Sequence, residues 1–239
     1  SSPTRRSSDL GEIKVEGSSQ DKSRFVPLIV PVRAPNVQHS LGTYVTENMW
    51  QDLTLRGQDF SFGTALPVFV RISSEGAYIE LSSLTGAYIE RNGTGVSQTF
   101  TSYAATEHRF RFMPWVALPS AEGITPMVRL EVSYNGKDWV VVHEAPIKPI
   151  SIKASPQVLY VGSAEVLTVT VADANGMPYL GRQVEVRGIK SLTNTQGQVS
   201  FKISPTGTHL VPITVTLDRM LPGNRAYLAT LYVESKLLE

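Results

Sequence analysis

Val199-Ser200-Phe201-Lys202-Ile203-Ser204, and further along Ile213-Thr214-Val215-Thr216-Leu217-Asp218, set apolar and polar side chains in strict alternation. A period of two places successive side chains on opposite faces of a strand, so each stretch reads as a strand with one face buried and one in water. Leu167, Val169 and Val171 against Thr168 and Thr170, Val184 and Val186 against Glu185 and Arg187, and the run Tyr227 to Val233 repeat the pattern. Together with Ile150 to Lys153 they make about six strands. Turn signals separate them at Asn175-Gly176, Asn194 to Gly197, Pro205 to Gly207 and Pro222-Gly223-Asn224, at the spacing of an all-β sandwich.

The N-terminal half carries the same period less regularly. Phe25 to Val32, Leu53 to Arg56, Val68 to Ile72, Ala77 to Leu81, Ala87 to Glu90, His108 to Phe112, Val128 to Tyr134 and Trp139 to Val142 read as strands. Val128, Leu130, Val132 and Tyr134 alternate with Arg129, Glu131 and Ser133 and run into Asn135-Gly136, which predicts a hairpin with Trp139 to Val142. The echo Gly76-Ala77-Tyr78-Ile79-Glu80 and Gly86-Ala87-Tyr88-Ile89-Glu90 is too short and close for a solenoid repeat, and reads as two adjacent strands of one hairpin. No window repeats apolar positions at the spacing of an amphipathic helix, and 15 prolines and 18 glycines interrupt the longer segments.

A chain of 239 residues is long for one compact domain and suits two. The expected organisation is all-β, two tandem immunoglobulin-like β-sandwich domains: a disordered lead-in over 1–23, a first sandwich over 24–145, a proline-rich linker over 146–149 that limits domain motion, and a second sandwich over 150–239. The lead-in holds seven serines, mixed charges and no periodic apolar pattern. Apolar residues make up 41% and charged residues 18%, the balance of a globular chain. Net charge is +1 and no segment concentrates Lys and Arg, so the electrostatic basis for nucleic-acid or anionic-membrane binding is missing. No apolar run is long enough for a spanning helix, which argues against direct membrane insertion. With no cysteine, disulfides and thiolate chemistry are excluded and stability must come from burial.

Val169-Thr170-Val171-Ala172-Asp173-Ala174-Asn175-Gly176-Met177-Pro178 resembles the signature stretch of bacterial Ig-like domains of the invasin and intimin type. Gly181 to Val186 and Thr195 to Phe201 are similar to the next strand and the threonine-x-glycine turn of those domains, so the resemblance spans about 150–235. Leu53-Thr54-Leu55-Arg56-Gly57-Gln58-Asp59-Phe60 and Val132 to Trp139 resemble two motifs of IPT/TIG domains, across 25–145, with an insertion implied around Ser73 to Thr106. Both resemblances imply Ig-like modules serving as spacers, adhesive units or accessory domains, without chemistry of their own. Residues Pro3 to Leu10 resemble a translated sequencing adapter; an ordinary arginine- and serine-containing tail is the alternative reading.

Candidate chemistry is sparse. His39, His108, His143 and His209 include no zincin spacing, and His108 and His143, at strand positions, read as solvated residues rather than a metal pair. There is no serine-nucleophile motif and no phosphate loop, so no enzyme activity, metal or cofactor is expected. Asp173-Ala174-Asn175-Gly176 starts like a calcium loop but lacks the late bidentate glutamate, and reads as a tight turn. Trp50, Trp115 and Trp139 read as core residues, with sugar-stacking platforms as the alternative. Asn92-Gly93-Thr94 fits the N-glycosylation rule. The segment Arg219 to Asn224 reads as a loop at a sandwich end, making Met220, Leu221 and Asn224 the expected contact residues. The resulting expectation is a non-catalytic structural or adhesive module of a larger surface or extracellular protein, with a protein partner or self-association. An accessory carbohydrate-binding module binding a glycan and an intracellular filamin-like scaffold are the alternatives.

Overall fold

The computed structural model describes residues 12–15, 28–31, 37–57, 68–75, 77–83, 88–91, 97–102, 107–116, 125–133 and 137–238. Every regular element in them is a strand. In chain order these are β1 (Glu12–Val15), β2 (Leu28–Pro31), β3 (Val37–His39), β4 (Val45–Thr46), β5 (Gln51–Gly57), β6 (Val68–Glu75), β7 (Tyr78–Ser83), β8 (Tyr88–Arg91), β9 (Ser97–Ser102) and β10 (Glu107–Trp115). They continue as β11 (Met127–Ser133), β12 (Val140–Lys148), β13 (Ser151–Ser155), β14 (Val158–Tyr160), β15 (Glu165–Ala172), β16 (Gln183–Val186), β17 (Ile189–Leu192), β18 (Gln198–Ile203), β19 (Leu210–Leu221) and β20 (Arg225–Lys236).

The second sandwich packs a three-stranded sheet, β13-β15-β18, on a five-stranded one, β14-β20-β19-β16-β17. Its first strand is divided between them: β13 pairs antiparallel with β15, and β14 crosses over to pair parallel with β20. This division, with β16, β19 and β20 opposite β15 and β18, is the immunoglobulin-like arrangement. The alternation of the sequence becomes the burial pattern. Val199, Phe201 and Ile203 of β18 face Ile213, Val215 and Leu217 of β19 across one core, with Ser200 and Lys202 outside.

The first sandwich repeats the scheme with sheets β3-β5-β10-β7 and β4-β12-β11-β6-β9-β8. Again the leading strand divides, and β4 pairs parallel with β12. Leu53 and Leu55, Val70 and Ile72, Phe112, and Val128, Leu130 and Val132 form its core. The β11–β12 hairpin pairs Leu130 with His143 and Val132 with Val140; Val142 is the extra residue of a bulge between them. Glu131 sits at this irregularity, buried, and receives two bonds of 2.7 Å from the Arg71 guanidinium and one of 2.8 Å from Ser73 Oγ. Burial pushes its carboxyl pKa up, but the bonds from Arg71 and Ser73 and the charges of Arg71 and Arg129 outweigh that and hold it below the usual range.

Four expectations change. The two Ala-Tyr-Ile-Glu segments are not one hairpin: β7 pairs with β10 in one sheet and β8 with β9 at the edge of the other. The span expected as an insertion therefore supplies strands to both sheets. Glu12–Val15, in the expected lead-in, pairs with Leu28–Pro31. The expected linker is strand as far as Lys148, because Pro146 and Ile147 lie in β12, where Ile147 is buried and pairs with Val45; proline is tolerated there because β12 borders only the two-residue β4 on that side.

Candidate functional site

The joint between the sandwiches is built around Gly42 to Trp50. The chain leaves β4 with Glu47 N–H donating to the Lys148 carbonyl and Asn48 N–H to the Pro114 carbonyl, at 2.9 and 2.8 Å. Asn48 then takes a left-handed conformation, φ +59°, which asparagine tolerates better than most residues. That reversal drives Met49, fully buried, into the core of the second sandwich, although it precedes β5 of the first. A flexible thioether suits such a place, since methionine fills irregular gaps.

Polar bonds close around this plug. Asp218 and Arg219 N–H both donate to the Asn48 carbonyl, at 3.1 and 3.2 Å. Trp50 N–H donates to Asp218 Oδ2 at 2.9 Å, while Arg182 pairs with Asp218 Oδ1 at 2.5 Å. The Arg219 guanidinium lies 5.1 Å from the Trp115 ring and 5.3 Å from that of Tyr227. Asp218 and Arg219 reach the joint because β19 is irregular: between Thr216, opposite Leu228, and Met220, opposite Ala226, three of its residues face Tyr227 alone. A bulge of this kind bends a strand and re-aims its side chains.

The Asp173–Gly176 turn forms the other wall. Asp173 Oδ1 accepts the N–H groups of Asn175 and Met177, both at 2.8 Å, which closes the turn on itself. Asn175 then makes a two-bond ring with the backbone of Tyr44, accepting its N–H at 2.9 Å and donating to its carbonyl at 2.8 Å. A Cβ on Gly42 would lie 2.9 Å from Asn175 Oδ1, so any other residue there would push the Asn175 amide off its bonds to Tyr44. Thr46 Oγ1 accepts Ala174 N–H, and the Tyr179 hydroxyl bonds the Thr46 side chain. Burial of Tyr179 raises its pKa and keeps that hydroxyl neutral.

The expected site residues are placed differently. Of the segment Arg219 to Asn224 only Pro222, Gly223 and Asn224 lie between strands, with Gly223 and Asn224 at positive φ; the β19–β20 ladder continues to Leu221 and Arg225. Met220 is 55% exposed and Asn224 exposed, Leu221 is half-buried, and Arg219 is drawn into the joint. Asn92 lies outside the described residues. His143 is a half-buried residue of β12 whose ring lies 4.3 Å from that of His39, with its Nε2 3.2 Å from the Gly42 carbonyl. His39 and His108 both pair with Leu55, from opposite sides of β5, and His209 is exposed. Burial and the neighbouring His143 depress the His39 pKa, opposed by a backbone hydrogen bond at Leu41.

All three tryptophans are half-buried. Trp115 stacks on Tyr78 at 5.6 Å, with Arg219 over the ring, and Arg71 lies 4.3 Å over Trp139, so both rings already have face partners. Among the described residues no three His, Cys, Asp or Glu side chains gather to hold a metal. Asn48 and Met49 lie outside any alternation and left no signal in the strand period, while Asp218 closes the alternating stretch that begins at Ile213 and carried no sign of its place at the joint.

No protein-family model matches the sequence, and no curated protein matches it. Solved structures similar to this chain include a putative membrane-anchored protein from Corynebacterium diphtheriae, with TM-score 0.34 and 11% identity over 84% of this chain and 53% of that one. BcpA, the major pilin subunit of Bacillus cereus, has TM-score 0.29 and 8% identity over 86% and 69%. The D0-D1 domain of intimin has TM-score 0.26 and 12% identity over 81% and 92%. The chain thus spans about half the length of the Corynebacterium protein.

Proposed function

We propose that this chain is a non-catalytic structural or adhesive module of a larger surface or extracellular protein, acting through protein–protein contacts. The observation that carries it is the joint. Met49 of one sandwich is a core residue of the other, and Asn48, Asp218 and Arg219 bond across the boundary, an arrangement suited to holding two modules in fixed relation under load. The division falls between Lys148 and Ser151. The IPT/TIG-like motifs of the first sandwich and the invasin- and intimin-like motifs of the second agree with a spacer or adhesive role. Met220 and Asn224, at the tip of the β19–β20 hairpin, are the contact residues toward a partner protein.

Single-molecule extension tests the structural role. The joint is expected to hold until a sandwich unfolds, so each extension step has the contour length of a folded sandwich. A short low-force step that precedes both unfolding events, and is unaffected by Met49→Ala, would argue against it. For the contact surface, Met220→Asp is expected to abolish adhesion of beads carrying the chain to a matrix of extracellular proteins while circular dichroism stays unchanged.

A further inference from the structure

The two sandwiches treat the same strand edge in different ways. In the first, the last strand β12 is bordered by β4 only at Ile147 and Lys148. Its upstream edge is covered by the crossover from β3 to β4, where Gly42 meets the His143 ring, and it carries Glu144, paired with Arg129. In the second, β20 is bordered by β14 only at Glu234 to Lys236, and among the described residues no strand borders its Arg225 to Val233 edge. A groove of about 950 Å³ opens beside its downstream part, between Ile152 to Ser155 on one side and Leu231 to Glu234 on the other. Ile152, Ala154, Ala229 and Leu231 are partly buried apolar residues packed against the core there.

Unpaired strand edges template the addition of another strand, and folded proteins guard them with charges, prolines or shortness. The other edges of this sandwich are guarded: β13 carries Lys153, β18 carries Lys202, and β17 is four residues long with Lys190. The open stretch of β20 reads Ala226-Tyr227-Leu228-Ala229-Thr230-Leu231-Tyr232-Val233, eight residues with no charge and no proline. Leu228 is 50% and Tyr232 58% exposed on its outer face. Alternate N–H and C=O groups along it point away from β19, and a β-strand is the partner that satisfies such a row.

We infer that the open edge of β20 pairs antiparallel with β20 of a second copy of this chain, joining two five-stranded sheets into one across a two-fold axis. This inference stands on the strand edge and is independent of the adhesive reading above. In such an isologous contact the axis perpendicular to the sheet passes through one residue facing itself. Centred on Thr230, the register sets Leu228 against Tyr232 of the second copy, Ala229 against Leu231, Tyr227 against Val233, and Thr230 against Thr230. These are threonine–threonine and aromatic–aliphatic cross-strand pairs of the favourable kind. Pairing then stops at Val233, where β14 takes over the edge. Centring on Ala229 would instead set the Arg225 charge against Val233. With a net charge of +1, the whole chain offers little self-repulsion.

Thr230 is exposed and the chain has no cysteine, which makes the register testable on the full chain. Sedimentation should show wild-type dimers that dissociate on dilution. Thr230→Lys and Thr230→Glu should each lose the dimer, and an equimolar mixture of the two should restore it. Thr230→Cys should form a disulfide-linked dimer on mild oxidation, because facing residues in an antiparallel pair lie roughly 4.5–5.5 Å apart at Cα, while Ile189→Cys on β17 should not. A wild-type chain that stays monomeric at its highest soluble concentration overturns the inference, even where a foreign extended peptide binds the groove. Dimers that persist in both charge variants, or equal crosslinking at Thr230 and Ile189, also overturn it.

Discussion

The two sandwiches share one plan and differ in how openly their sequences show it. Each divides its leading strand between two sheets and pairs the second piece parallel to its last strand, β4 with β12 and β14 with β20. In the second, apolar residues alternate through β15, β18 and β19 and the core follows directly from that period. The first interrupts the period with a bulge, a buried Glu131–Arg71 pair and a crossover strand β7. Its fold thus relies on polar groups that must stay paired, whereas the second relies on burial and borrows Met49 from its neighbour.

Substitutions sort along that difference. The largest effect is expected from Met49→Ala, which removes a fully buried side chain and should cost about 3 kcal/mol. The loss should appear as faster amide exchange in β15 and β19, with β6 and β11 unchanged. Loss of protection in the first sandwich alone would break the assignment of Met49 to the second core.

Glu131→Gln comes next, at about 2 kcal/mol, since it leaves the Arg71 charge without its partner in a half-buried place, and should loosen β6 and β11 only. Because the Glu131 pKa is depressed in the fold, its contribution is present above the unfolded value of 4.5 and is lost as pH falls through the folded value. The variant should accordingly show a flatter acid limb in a pH–stability profile.

Asn48→Ala should cost about 1 kcal/mol, from the left-handed backbone and the lost 3.3 Å bond from Arg219 to Asn48 Oδ1. Asn48→Gly, relieving the backbone alone, should cost less by urea titration. The smallest effect concerns His39. Its pKa is lowered in the fold, so the unfolded chain binds the proton first and stability falls as pH drops through the ordinary value of 6.5. That slope should belong to the first sandwich and flatten in His143→Phe; an equal slope in the second would contradict it.

Alternation made the long strands legible, including β11, β15, β18 and β20, because a half-buried strand leaves a period of two in its side chains. Two- and three-residue strands such as β3, β4 and β14 leave no such record; their pairing is fixed by the strand they lie against. The β7 crossover was invisible for a related reason: Ala77-Tyr78-Ile79 and Ala87-Tyr88-Ile89 read alike, and only the position of β10 decides which sheet receives the first. At the joint, Asn175 was legible as a turn residue, but its bonds to Tyr44 join positions far apart in sequence. Asp218 read as the polar end of an alternating strand, and the irregular register of β19 turned it inward.

The burial of Met49 in the second core and the bonds around Asn48 and Asp218 should hold the two sandwiches as one rigid body. Backbone ¹⁵N relaxation on the intact chain tests it most directly. Amides of β5, β6 and β11 and those of β15, β18 and β19 should fit a single rotational diffusion tensor, and Met49→Ala with Asp218→Ala should split it in two. Separate tensors for the two sandwiches in the unaltered chain would contradict the account.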